Sequence, residues 1–435
     1  MTTDNQTHPD RTRMPATHAI EHLTISEMRT MTLDNGMTLH VLDRGHDEVN
    51  KLVAIRAGGL AEAPSQSIAT LTSQILCDGT TLHNGDQIAD MVEFNGSWLN
   101  AVVHTHHLSL NMMSINSRFD HVAPIMAEVW NEPVFPDKSF DVKRAMLAKK
   151  VEELSMKVAS VADMEATRLA MGRENPLAHA MTMQEVMEIS PMDVRDFYRE
   201  SAIKAPVTLY IAGRITPAIE DTINRTFGRL PYTPMPKDSG IHITPFTPSQ
   251  PQIHPINKSV KDALQSGVNM VIPAIGRDHE DFVPLRLTVM TLGGYFGSRL
   301  MSNIREDKGY TYGISANLLG YLDGSYTQIA CECDHRYVKP LIEETLRELS
   351  GMTTRTVDDE ELMRVRQSVT SSLLSIIDTP FTNLGYYTNM ELVGTPKDYF
   401  YQLLEASRTI DAETIAHMAS KYLNPDNARI VIAGK

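Results

Sequence analysis

The chain has 435 residues, more than one ordinary hydrophobic core accommodates, so two or more domains are expected. Its 42% hydrophobic and 22% charged content is that of a folded globular protein, and a formal net charge of −14 disfavours nonspecific binding to nucleic acid or to an anionic membrane. Three cysteines provide no disulfide framework and fit a reducing compartment, and no apolar run nears the roughly 20 residues that cross a bilayer, so the cytoplasm is the default location.

Residues 1–22 are polar, rich in Thr and Pro, and lack the apolar core of a signal peptide; a mobile tail is expected. "MTLDNGMTLHVLDR" (31–44) predicts a strand pair around an Asn-Gly turn, and "KLVAIRAGG" another strand. "SIATLTSQILCDGT", Ser67 to Thr80, predicts a short helix running into a Gly-Thr stop. Its Thr70, Ser73 and Gln74 stand at i, i+3 and i+4 and so share one face. "GDQIADMVEFNG" is a helix with a glycine stop, and "SWLNAVVHTHHLSLNMMS" a long alternating strand. Residues 139–172 form one long helical region of strong formers without proline. In the second half the pattern predicts strands at 265–273, 311–317 and 325–333. It predicts helices at 279–292, 298–307, 337–351, 357–377, 382–392 and 397–406.

The two halves echo one another. "SPMDVRDFYRESAIKAPVTLYIAGR" (190–214) aligns without a gap on "DAETIAHMASKYLNPDNARIVIAGK" (411–435), an offset of 221. Both read as an amphipathic helix, a break, and an apolar strand ending Ile-Ala-Gly plus a base. A weaker echo pairs "LTSQIL" (71–76) with "LTVMTL" (287–292). Duplication therefore predicts an N-terminal domain over 23–235, a proline-rich linker over 236–255 and a C-terminal domain over 256–435. The fold class is α+β: two duplicated domains, each an antiparallel sheet with helices packed on one face.

Several stretches, in order along nearly the whole chain, resemble the pitrilysin/insulinase peptidase family, the inverzincins with H-x-x-E-H. They are "LDNGMTLHVL", "AGGLAEAP", the helix ending "LCDGT", "FNGSWLNA", "YIAGR" and "LGGYFGSRLMSNIREDKGYTYGISA". The last is the most specific and resembles the family's inactive, C-terminal-type domain, where an arginine and a tyrosine seven residues later act together. Those residues are Arg305 and Tyr312 here. The resemblance implies a two-domain half of a four-domain clamshell that encloses a peptide.

One departure from the family bears on activity. Aligned on "CDGT", the family's two histidines fall on Thr70 and Gln74, and its glutamate on Ser73. Its third zinc ligand, a glutamate on the next long helix, falls on Lys150, with Lys149 or Val151 as neighbouring registers. Two imidazoles and a carboxylate hold Zn²⁺, and a further carboxylate takes a proton from its water. Thr, Ser and Gln offer weak neutral oxygens and an amide, and a lysine ammonium has no lone pair to donate. No family-type zinc site and no autonomous hydrolysis are expected. Lys150 either sits near the vacated metal position, hydrogen-bonded to Thr70, Ser73 or Gln74, or snorkels to water.

Arg305 and Tyr312, by the resemblance, face the zinc of the opposite half-shell and grip substrate there. The guanidinium fork suits a carbonyl or carboxylate, and a phenol can donate to a developing oxyanion. The plain alternative is a surface salt bridge for Arg305 and a sheet core for Tyr312. His104 and His106 in "VVHTHH" share a strand face, for a metal, a peptide groove or ordinary strand structure. Cys331 and Cys333 in "CECDH" share one too and read as packing. "GGYFG" (293–297) reads as a flexible turn beside the substrate chamber.

The expected function is a zinc-free, non-catalytic subunit that binds extended peptide and completes the site of an H-x-x-E-H partner in trans, as a heterodimer. Zinc belongs to the partner alone. A scaffold or assembly subunit and a peptide-binding homodimer remain open.

Overall fold

Two sheets, one built from each half of the sequence, organise the computed structural model, which describes residues 11–12, 22–45, 48–200, 202–232, 241–252 and 254–434. The expected tail lies outside these residues except at 11, 12 and 22, as do 236–240 and 253 of the expected linker.

The first sheet contains β1 (Arg29–Thr32), β2 (Thr38–Asp43), β3 (Val49–Ala57), β4 (Trp98–Val103), β5 (His107–Ile115) and β6 (Thr208–Gly213), in the order β1-β2-β6-β3-β5-β4. The second contains β7 (Ile256–Ser259), β8 (Ser266–Ala274), β9 (Thr311–Gly320), β10 (Ser325–Cys333) and β11 (Arg429–Gly434), in the order β7-β11-β8-β10-β9. β1 and β2 form the hairpin expected from Asn-Gly, with Gly36 at φ 93° in its turn.

The duplication is visible in the topology. The Ile-Ala-Gly strands β6 and β11 each enter between an early short strand of the half, β2 or β7, and its first long strand, β3 or β8. Each therefore runs parallel to one neighbour, β6 to β2 and β11 to β7, and antiparallel to the other. Every remaining pair is antiparallel. The single parallel pair per sheet exists because the closing strand returns only after the half's helices, a crossover that a hairpin cannot make.

Each half's helices cover one face of its sheet. In the first half Leu52, Ala54, Leu110 and Ile211 pack with Phe119, Trp130, Phe140 and Phe197. In the second, Val268, Met270 and Ile329 pack with Leu285, Leu341 and Phe400. One helix per half crosses over. Helix Val158–Met171 lies on β8 and β11 of the second sheet, and helix Pro380–Val393 lies on β6 and β2 of the first. Leu384 and Leu392 bury against Val53, Ile55 and Ala212; Ala162 and Ala166 bury against Val271 and Val431. The central strands are thus buried on both faces, which is why "LVAI" in β3 and "IVIAG" in β11 read as continuous apolar runs.

Two element assignments are corrected. The helical region 139–172 is two helices, Asp137–Ser155 and Val158–Met171, broken at Met156 and Lys157. No Gly or Pro marks the break; it exists because the second helix is drawn to the other half's sheet. The strand expected through "VVHTHH" is a hairpin, β4 and β5, turning at His104–His106. The turn is fastened from outside: Gly58, Leu60 and Ala61 N–H groups donate to the carbonyls of His106, His104 and Thr105.

Candidate functional site: a degenerate metal helix and an aromatic-clamped arginine

The helix that carries Thr70, Ser73 and Gln74 is Gln66–Ile75, started by Ser65, whose side chain accepts from the Ile68 N–H. It packs on helix Asp137–Ser155, on helix Pro191–Glu200 and on β4, which is an open edge of the first sheet. Thr70 Oγ1 donates to the Gln66 carbonyl at 2.8 Å and Ser73 Oγ to the Thr70 carbonyl at 2.9 Å. Both hydroxyls are spent on their own helix, and Gln74 is half-buried beside them.

Lys150 takes no part in this group. It is exposed, as is Lys149, while Leu147, Ala148 and Val151 turn inward from the same helix. Of the two placements open to the Lys150 ammonium, the structure takes the one to water, because the inward stripe of its helix is apolar. Whichever register is taken, the third ligand position holds an exposed ammonium or a buried valine. A donor set of two committed hydroxyls, one amide and no carboxylate does not fit zinc. Among the described residues no three His, Cys, Asp or Glu side chains are grouped to hold a metal ion.

The second group is brought together. Arg305 lies on a π-helical turn, Met301–Asp307, in which the Lys308 N–H donates to the Asn303 carbonyl. Its guanidinium carbon sits 4.8 Å from the ring centre of Phe296 and 5.4 Å from that of Tyr312. Phe296 is 64% exposed and Tyr312 is 91% exposed. Neither the surface salt bridge nor the sheet core of the plain alternative is present. The Arg305 side chain makes no ion pair or hydrogen bond among the described residues; two aromatic faces hold it, and its five N–H donors stay available. The π-turn packs on β9 and on helix Val338–Thr354, while helix Gln66–Ile75 packs mainly within the first half's layers. Phe296 was hidden inside "GGYFG"; an aromatic in a glycine-rich turn two turns before an arginine was the available signal.

His104 and His106 separate. His104 Nε2 lies 2.9 Å from Ser109 Oγ on the neighbouring strand. His106 is fully buried, its Nδ1 2.8 Å from Glu62 Oε1 and its Nε2 2.8 Å from Asp323 Oδ1 of the second half, the latter an ion-pair approach without hydrogen-bond alignment. Glu62 also accepts from the His242 N–H, and Asn175 donates to Asp323 and to the Thr244 carbonyl. This cluster, spanning both halves and the connecting segment, was missed because its members are far apart in sequence. Cys331 and Cys333 both pack against the second half's core, as read, with a register shift between them and Cys331 also reaching a surface cavity. Burial pushes all three free thiols above their ordinary pKa.

Comparison with known proteins gives the family. Residues 41–184 match Insulinase (Peptidase family M16), and residues 188–369 match the Peptidase M16 inactive domain. The chain belongs to the pitrilysin/insulinase peptidase family; the matched residues contain no H-x-x-E-H, and the one such run in the sequence, His18 to His22, precedes them. YmxG of Helicobacter pylori, described as a non-peptidase homolog, is 23% identical over 326 residues, 71% of this chain and 72% of that one. A peptidase M16 inactive domain from Pseudomonas fluorescens has the same fold, with a TM-score of 0.81 at 20% identity over 94% of this chain and 98% of that one. The periplasmic protease PqqL from Escherichia coli matches with a TM-score of 0.75 at 14% identity over 98% of this chain; this chain spans 48% of its length.

Proposed function

We propose that this chain is the zinc-free subunit of a two-subunit metallopeptidase, binding extended peptide and completing the site of an H-x-x-E-H partner in trans. The halves 23–235 and 256–435, joined by 236–255, form half of the clamshell. The observation that carries this reading is the Arg305 guanidinium held between Phe296 and Tyr312 with no carboxylate paired to it among the described residues. A structural arginine is paired; one kept unpaired beside an exposed phenol is available to a carbonyl or carboxylate from outside. The PqqL match, in which this chain spans about half of a longer protease, supports pairing of two such units. The open edge of β4 beside helix Gln66–Ile75 offers a place for an added peptide strand.

The test is hydrolysis of a quenched fluorescent peptide by an H-x-x-E-H family subunit with and without this chain. Activation on mixing is expected, and Arg305→Ala is expected to lower kcat/KM by roughly 100-fold, the scale of losing one transition-state donor, at unchanged thermal stability. Full activation by Arg305→Ala would leave only a scaffold role.

A further inference from the structure

An open cavity of about 890 Å³ lies between helix Val158–Met171 and the second sheet, with Tyr312 on its rim. We propose that it is a subsite for a cationic side chain, arginine or lysine, of the bound peptide. The assignment rests on the peptide-binding reading above and specifies its substrate class.

The floor provides an acceptor without a donor. Asn269, on β8, is 2% exposed and lines the cavity. Its amide NH2 points to Asp163 Oδ1 at 3.4 Å, and its Oδ1 is buried without a partner. The amide orientation follows from chemistry, since an amide oxygen turned to the Asp163 carboxylate would be repelled. A buried carbonyl oxygen left unpaired costs free energy until a donor arrives. Asp163 itself accepts from Gln328 Nε2 at 2.6 Å and has no cationic partner among the described residues.

The walls point to the same ligand. Glu332 and Asp334 line one side, and no lysine or arginine lines the cavity; the nearest compensation is an exposed contact of 3.5 Å between Asp334 and Arg336. Tyr310 and Tyr337 stack at 5.0 Å and 22° along the wall, a π-face suited to a guanidinium or ammonium. The carboxylates are not gathered closely enough to hold a metal ion. An extended organic cation, reaching both the unpaired amide oxygen and the aromatic wall, fits what a bare ion does not. Arg305 lies against the Tyr312 ring and is not part of the cavity lining, so backbone and side chain of one peptide would meet opposite charges in adjoining places.

The full chain is titrated with two extended peptides identical except that one carries arginine and the other citrulline, its neutral near-isostere. The arginine peptide should bind roughly tenfold more tightly, the scale of one charge-assisted hydrogen bond. Asp163→Asn, at an exposed helix position, and Asn269→Ala should each erode that preference, while Arg305→Ala weakens both peptides alike. Equal affinity for the two peptides, or a preference that survives Asp163→Asn, overturns the subsite and leaves peptide binding intact. Binding of neither peptide overturns peptide binding and the subsite together.

Discussion

His106 and Asp323, from opposite halves of the chain, meet with Nε2 2.8 Å from Oδ1 and neither side chain exposed to solvent. Burial acts to lower the His106 pKa, but the nearby carboxylates Asp323 and Glu62, the latter hydrogen-bonded to the ring, outweigh it and raise it from 6.5 to about 9. The folded state therefore holds this proton more tightly than the unfolded one. Its contribution is complete below about pH 6.5 and is lost as the pH rises through about 9. The next residue acts in the opposite direction. Burial and the charges of His106 and His104 lower His107 to about 4, so its contribution is present above 6.5 and lost as the pH falls toward 4. Urea unfolding of wild type and His106→Gln should differ by up to about 3 kcal/mol near pH 6. The difference should shrink by pH 9; a gap that stays constant across that range would mean that the ring is not protonated in the fold.

Gly59 supports the turn that places His106. A Cβ built there would stand 2.4 Å from the His106 carbonyl carbon and from the His107 nitrogen, both backbone atoms that cannot rotate away. Gly59→Ala should cost roughly 3 kcal/mol or more. Gly45→Ala, where a Cβ meets nothing within 4 Å, is the control and should be close to neutral in thermal unfolding.

The crossing helices make the two halves one cooperative unit. Leu384 of the second half is 1% exposed, in a core whose other members include Leu42, Val53, Ile55 and Tyr210 of the first. Leu384→Ala should destabilise by about 2–5 kcal/mol. Hydrogen exchange should then rise in β3 and β6, although the substitution lies in the other half; exchange confined to helix Pro380–Val393 would show the halves to be independent.

Lys150 offers the opposite case. The side chain is exposed and has no ion pair among the described residues, so Lys150→Ala should change stability by less than about 0.5 kcal/mol. Lys150→Glu alone should confer no zinc binding by metal analysis, since Thr70 and Ser73 keep their hydroxyls on their own helix.

Much of the fold was legible because it is written in local pattern. Strand β10 falls at 325–333 as read from alternation, and helix Asp359–Ile377 begins where Asp358 caps the Glu361 N–H. Helix Gly85–Phe94 is framed by the Asn84–Gln87 capping box and by Gly96 at φ 60°. The repeated Ile-Ala-Gly strands pointed to duplication, and they occupy equivalent places in the two sheets. Where reading failed, the deciding contact came from elsewhere. The His104–His106 turn contains no Gly, Pro or Asn, because Gly58, Leu60 and Ala61 hold its carbonyls.

By itself the sequence determined the family and the paired architecture, and residue type alone sets what Thr70, Ser73, Gln74 and Lys150 can donate. Only the tertiary structure decided that Lys150 goes to solvent, that each half lends a helix to the other, and that His106 is enclosed by Glu62 and Asp323. It likewise decided that Arg305 rests between two exposed rings instead of beside a carboxylate. The physical reason is common to all four. Burial and charge compensation are set by neighbours brought together across the chain, and such neighbours leave no periodic trace in the sequence around either partner.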